Sequence, residues 1–479
     1  MTAPPDQKDR CPFLRVNFTD LKHLQPDTSY FHVQRPREDG GTGIGIMKRD
    51  GDIANFYGAS AFYGDNMQRT KSTSSAGQEM TRRLREARLI AAIALALGGL
   101  TGSPHAFSQS NSAAGDPIKI GIVSPQSGAN SRYGAFAWKG AQLAAEEINA
   151  AGGVLGRKIV LVNGDSQCAP SEGVSATQRL IRFDHVSMII GDVCSSVTLA
   201  MQPVVESAHV ILMNAASSNP EITYRAGVGG FKWTFRNYPT DELRAAIALQ
   251  YAVQVKHYQK FAVLSVDSDY GRGAIAFTKK YLSRYKAQIL SEDYYKETET
   301  DFRPVLTKIK YSGAQAIIMY GQADTTPIIA RQMNEMMLAG KVGLVGNGEF
   351  ANPVTIAAAP KVMEGAVEVA AWLPEWRNPR SRKFVSDYER AYDGEVPSVQ
   401  AYSPWESLHM LAQAVQEAGS VNNDSIRLAL TKIRYNSVMG EVTFDDHQQA
   451  VLPMVLVEDE GGKPVIKGAM YSKVDYPHR

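Results

Sequence analysis

The sequence predicts an α/β fold made of two similar units in tandem. Three observations predict it. From Asp116 onward, short apolar runs alternate with helical periods, the pattern of a parallel sheet with helices on both faces. The same order restarts at Lys260. Between them, two successive strand ends empty into serine-bearing segments, where an open α/β sheet binds its ligands.

The elements follow in order. Ile118–Val123 reads as a strand closed by a Gly/Ser turn. Trp138 to Ala151 reads as a helix, with Trp138, Ala141, Ala145 and Ile148 on one face and Gly152-Gly153 stopping it. Lys158–Val162 is the next strand and Val174 to Phe183 the next helix. Ser187–Gly191 and Val210–Met213 follow as buried strands, and Phe231–Arg236 ends the unit. Asn237-Tyr-Pro-Thr240 reads as a crossover. The second unit has strands at Lys260–Val266, Gln288–Ser291, Ala316–Met319, Val342–Val345 and Val367–Ala371. Helices are expected between them at Gly271–Tyr285, Phe302–Tyr311 and Pro327–Leu338. Helical patterns around Arg380–Tyr392, Gln400–Gly419 and Asp424–Ile433 precede a β-rich tail from Glu441 to Met470. This late material is too small for a third domain, so it is expected to complete the two earlier sheets.

The strand ends carry the functional signal. Ser187–Gly191 empties into Asp192-Val-Cys-Ser-Ser196, and Val210–Met213 into Asn214-Ala-Ala-Ser-Ser-Asn-Pro220. Free N–H groups and the helix dipole favour an anion at such places. Two neutral donor clusters without a fixed cation suit reversible capture of a small carboxylate. Ser195 and Ser218 could equally serve as helix N-caps, the common use of serine there.

At 479 residues the chain can hold two or three domains. Its 51 basic and 49 acidic residues leave a formal charge of +2, which argues against nucleic-acid binding. No G-x-S-x-G, P-loop or H-E-x-x-H occurs, and the 9 histidines are scattered without metal-ligand spacing. The reading is therefore a binding protein and not an enzyme, with no catalytic residue, no metal and no cofactor.

Residues 1–79 lack a sustained apolar period and read as disordered or as sequence upstream of the true start, expected at Met80 or Met67. Residues 80–108 look like a secretory signal peptide: a basic Thr81–Arg88, an apolar Leu89–Leu97 too short to span a bilayer, and small residues before Gln109. Cys11 lies ahead of it, leaving Cys168 and Cys194 as the pair of an exported chain. Such a pair suggests a disulfide beside the proposed pocket, contributing about 3–4 kcal/mol. Two separate buried thiols are the alternative.

The ordered motifs Ser127-Gly-Ala-Asn-Ser-Arg-Tyr-Gly134, Glu147–Gly153, Asp165–Cys168, Cys194–Ser196, Ala215–Glu221 and Asp269-Tyr-Gly271 carry a resemblance. From about residue 116 to 470 the chain resembles the periplasmic substrate-binding proteins of branched-chain amino-acid ABC transporters. The resemblance implies a two-lobed type I periplasmic-binding-protein fold with three hinge crossovers. The first lobe would comprise 116–236 plus about 371–445, the second about 240–370 plus about 446–470. It implies an exported, periplasmic protein that takes an amino acid between its lobes and delivers it to the membrane subunits of an ABC permease.

Carried over by motif, the ligand carboxylate would meet Ser195 and Ser218, where the family usually has Thr. The ammonium would meet the Ala216 carbonyl and Glu349, although the family's acid aligns one position earlier. Tyr133 and Tyr270 match aromatic positions lining the cleft. Ala323 stands where a relative has tyrosine, and Gln400 falls near a pocket Phe, with Tyr402 and Trp138 close by. These four are the specificity candidates, and they imply a roomier or more polar side-chain pocket. An aromatic carboxylate or a urea-like amide is the alternative ligand, and a ligand-sensing domain for a receptor the alternative role.

Overall fold

The computed structural model describes residues 32–36, 42–46, 115–471, 474 and 476. The expected signal peptide at 80–108 and Cys11 lie outside the described residues. Of residues 1–79, two strands are described, β1 (His32–Pro36) and β2 (Thr42–Ile46), paired antiparallel. No strand was expected there.

The first lobe is built on a parallel sheet of β3 (Ile118–Ser124), β4 (Ile159–Asp165), β5 (Met188–Gly191), β6 (Ile211–Asn214) and β7 (Thr234–Arg236). Its order is β4-β3-β5-β6-β7. β5 and β6 are buried throughout, as expected of apolar runs covered on both faces. Helices α1 (Ser131–Ala150), α2 (Pro170–Arg182), α3 (Ser195–Ala208) and the short α4 (Glu221–Tyr224) connect these strands. α1 begins earlier than the sequence suggested, so Tyr133 lies in its first turn and not in a loop.

The chain leaves this lobe at Asn237–Thr240 and enters α5 (Asp241–Gln254), a helix that the sequence reading passed over. Thr240 caps it by accepting the Leu243 N–H at 3.3 Å, and Asp241 and Glu242 suit the positive end of its dipole. β8 (Lys260–Val266), α6 (Asp269–Leu282), β9 (Gln288–Tyr295), α7 (Arg303–Ser312) and β10 (Ala316–Tyr320) follow. Then come α8 (Thr326–Glu335), β11 (Gly343–Asn347), α9 (Pro353–Ala358), α10 (Pro360–Met363) and β12 (Val367–Ala370). Strands β12-β11-β10-β8-β9 lie parallel in that order.

A second crossing after β12 returns the chain to the first lobe. Helices α11 (Pro379–Ala391), α12 (Val399–Ala418) and α13 (Asn423–Leu430) follow, and their apolar residues join the core formed by β3, β5 and α1. α12 packs along α1. A small sheet of β13 (Tyr435–Ser437), β14 (Gly440–Phe444) and β15 (Ala450–Val451) comes next. Gln449 bridges to Arg236, the last residue of β7, so the tail touches the first lobe's sheet by one bridge instead of extending it by a full strand. The third crossing leads into β16 (Pro453–Glu460) and β17 (Lys463–Tyr471), which add antiparallel to β12. No helix among the described residues is long and apolar enough to cross a membrane.

Candidate functional site

The carboxyl ends of both parallel sheets face one cavity of about 290 Å³. On the first lobe, β5 ends at Gly191 with φ +155, where a Cβ would stand 2.2 Å from the Val123 carbonyl oxygen. Only glycine turns there without clash. Asp192 then ties the two strand ends together. Its Oδ1 accepts the Cys194 N–H at 2.6 Å, and its carbonyl accepts the Ser217 N–H and hydroxyl at 3.1 and 2.6 Å. Burial pushes the Asp192 carboxyl up to about 7 against several hydrogen bonds that lower it.

Cys168 and Cys194 form a disulfide with their Cα atoms 5.5 Å apart, which pins the loop just ahead of Ser195. Ser195 opens α3 and lines the cavity with Ser196, Ala216 and Ser218. Neither key serine caps its helix. The Ser195 hydroxyl accepts the Asn219 N–H at 3.3 Å, and the Ser218 hydroxyl donates to Asp241 Oδ2 at 2.9 Å.

The second lobe presents a different wall. β11 carries a strained glycine one residue before its end: Gly346 has φ +137, and a Cβ would lie 2.3 Å from the Met319 carbonyl oxygen. Asn347 and Glu349 follow, and Glu349 holds φ 59, a conformation rare for a residue with a side chain. Its Oε1 accepts from Tyr133 Oη at 3.1 Å and from Gln400 Nε2 at 3.0 Å, both from the first lobe. Its Oε2 accepts from Asn352 Nδ2 at 3.3 Å. Tyr133 Oη accepts the Ala323 N–H at 2.6 Å, and Tyr270 Oη donates to the Asn347 carbonyl at 2.8 Å. Asn219 Nδ2 reaches the Asp269 carbonyl at 2.7 Å, and Asn130 Nδ2 reaches Glu297 Oε2 at 3.0 Å. The lobes therefore clasp each other directly around the cavity.

The two serine-bearing strand ends carry no cation of their own, and the second lobe's wall brings one to the same cavity. Arg244, on α5, lines the cavity with Glu368 from β12 and is 6% exposed. Asp241 lies behind them, fully buried. Burial pushes Asp241 up to about 6 and Glu368 up to about 7, although Arg244 pulls both down. A Thr after a Pro with Asp-Glu next, as at Pro239–Glu242, was the available signal for this helix.

Of the residues singled out from the sequence, Tyr133, Ser195, Ala216, Ser218, Tyr270, Glu349 and Gln400 all line the cavity. Ala323 touches it only through the Tyr133 hydroxyl. Trp138 packs against the first lobe's core. Tyr402 is buried there, stacked on Trp372 with centroids 4.7 Å apart. Phe136, Tyr238, Arg244, Glu368 and Trp372 line the cavity without having been singled out. Among the described residues, no group of three or more His, Cys, Asp or Glu side chains could hold a metal ion.

A family model described as periplasmic binding protein matches residues 117–463. An amino acid binding protein of Pseudomonas aeruginosa is 31% identical over 357 residues, covering 74% of this chain and 91% of that one. The chain belongs to the periplasmic binding protein family. Among solved structures, a branched-chain amino acid transporter substrate binding protein from Streptococcus pneumoniae, in complex with isoleucine, is similar at 26% identity. It aligns with TM-score 0.66 over 74% of this chain and all of its own (100%). A solute binding protein of an ABC transporter from R. palustris, in complex with benzoate, shares the fold at TM-score 0.67 and 19% identity, over 75% of this chain and 98% of its own. These periplasmic binding proteins are named for binding, not for catalysis, and the family is extracytoplasmic by its description.

Proposed function

We propose that this protein captures a small amino acid in the cleft between its lobes and delivers it to the membrane subunits of an ABC importer. One observation supports the reading: Ser195 and Ser218 from the first lobe and Glu349 from the second line one cavity. A zwitterion needs neutral donors at one end and a carboxylate at the other, and this cleft offers both. The ligand carboxylate takes the Ser195 hydroxyl, whose proton is uncommitted, and the backbone N–H groups of the first lobe, with the Ser218 hydroxyl added only if it turns from Asp241. Its ammonium takes Glu349 and the Ala216 carbonyl. Tyr133, Tyr270 and Gln400 frame the two ends.

The mechanism is hinge closure. A ligand that touches both lobes binds the closed form better than the open one and shifts the population toward it. The clasp between Glu349, Tyr133 and Gln400 then forms in the same motion, and the permease reads the closed surface. No catalytic step belongs to this cycle. Residues 80–108 serve as the export signal, and the mature chain works in the periplasm.

Titration calorimetry with a panel of amino acids and aromatic acids tests the reading. One amino-acid class should bind tightly and raise the thermal midpoint. Silence from every amino acid overturns it, and tight binding confined to aromatic acids moves the ligand to a carboxylate without an amine.

A further inference from the structure

The second lobe's wall holds polar groups that a zwitterion's two ends do not use. Arg244 Nε donates to the Val369 carbonyl at 2.8 Å. Its remaining nitrogens, Nη1 and Nη2, come no closer than 3.8 Å to Asp241 Oδ1 and 3.7 Å to Glu368 Oε1. Those separations preserve charge attraction but exceed hydrogen-bond length. The carboxylates meanwhile use their other oxygens: Asp241 Oδ2 takes the Ser218 hydroxyl, and Glu368 Oε2 takes the Ala351 N–H at 3.0 Å. A guanidinium this buried thus faces the cavity with donors to spare, which an arriving acceptor can take.

Beside it stands a spare acceptor. Asn347 is 3% exposed and lines the same cavity, and its Nδ2 points to Asp241 Oδ1 at 3.5 Å. Its Oδ1 has no partner. Donors and an acceptor left side by side match a group that carries both a carbonyl oxygen and N–H. Charge makes the same choice. Arg244 already has two carboxylates beside it, so a further anion would be poorly placed, whereas a neutral amide adds no charge.

We infer that Arg244 and Asn347 form a subsite for a neutral carboxamide, so that the favoured amino acid carries an amide at the end of its side chain. The amide oxygen accepts from Arg244 Nη1 and Nη2, and its N–H donates to Asn347 Oδ1. This inference rests on the amino-acid reading above. A site built to hydrogen-bond a polar group rejects analogues that lack it far more sharply than an apolar pocket rejects a lost methylene.

Calorimetry on the full chain with L-glutamine, L-asparagine, L-leucine, L-glutamate and propionamide decides it. One of the two amide amino acids should bind at least tenfold more tightly than leucine and glutamate. Arg244→Met should lower the amide-to-leucine affinity ratio at least tenfold. Should that variant fail to fold, Asn347→Ala should lower the same ratio. Leucine or glutamate binding as tightly as the better amide overturns the inference while leaving the amino-acid reading in place, and so does a ratio that neither variant moves. Propionamide binding without any amino acid overturns the amino-acid reading and keeps the subsite; no binding by any of the five overturns both.

Discussion

The two walls of the cleft are made from the same local device and finished with opposite chemistry. Each parallel sheet has, at or one residue before the end of a central strand, a glycine where a Cβ would clash with a neighbouring backbone carbonyl, Gly191 in one lobe and Gly346 in the other. Beyond Gly191 come serines, backbone N–H groups and a disulfide. Beyond Gly346 come Asn347 and Glu349, with Arg244, Asp241 and Glu368 around them. Repetition of the fold sets where a ligand can sit. The residues at and within four positions past each strand end should set what it can be. One wall is pinned and offers neutral donors at its strand ends, the other gathers buried charges that are partly unsatisfied, so the first should receive the ligand's constant end and the second should discriminate.

Four changes to the protein test the contrast between the two walls. The largest effect belongs to Asp192 in the neutral wall. Its folded value, about 7, lies above the ordinary carboxylate value, 3.8. An acid raised on folding costs nothing below its unfolded value, and its cost grows as pH climbs toward the folded one. Its contribution to stability should therefore fall between about pH 4 and 7, on the order of 4 kcal/mol when complete. Asp192→Asn should flatten that part of a urea-midpoint-against-pH curve; an unchanged slope assigns the dependence elsewhere. Next comes the pin. Breaking the Cys168–Cys194 disulfide, which closes a sequence separation of 26, should cost about 3–4 kcal/mol in denaturant unfolding. A loss confined to a few tenths would mean that the first wall holds its shape without it.

On the charged wall, Glu349→Gln should weaken an ammonium-bearing ligand by about 1.5–3 kcal/mol, the worth of a hydrogen bond to a charged group. Calorimetry with the amino acid and its deaminated acid separates the cases, since a variant indifferent to the amine removes Glu349 from that role. The smallest effect is Ser195→Ala, about 1–2 kcal/mol, because neighbouring N–H groups remain to share the carboxylate. Unchanged affinity would assign Ser195 to loop structure alone, through its bond to Asn219.

The alternation of the fold was legible because strands such as Met188–Gly191 are buried on both faces and read as unbroken apolar runs. α5 had a start signal at Thr240, but its helical period was hidden for the mirror-image reason. Asp241 through Ala245 are all buried, as are Leu249, Tyr251 and Ala252, so no polar face marks a helical period. Arg244 went unseen with it. That Ser195, Ser218 and Glu349 line the cavity was legible because they sit two to four positions past strand ends. Trp138 and Tyr402 show the limit: both lie near the right motifs along the chain, yet their rotation about their helices turns them into the first lobe's core. Proximity in sequence fixes distance from the cleft but not direction toward it.

The three crossings also constrain the order in which the molecule can be made. α1 needs α12, which lies more than 200 residues later, to cover its apolar face. All the parallel strands of the second lobe are synthesised in between. A ribosome must therefore finish nearly the whole chain before the first lobe can close its core, and any fragment ending at Ala370 leaves that lobe half-dressed. Such a polypeptide has no stable resting point midway, so a truncation between the two lobes should aggregate instead of yielding a working half.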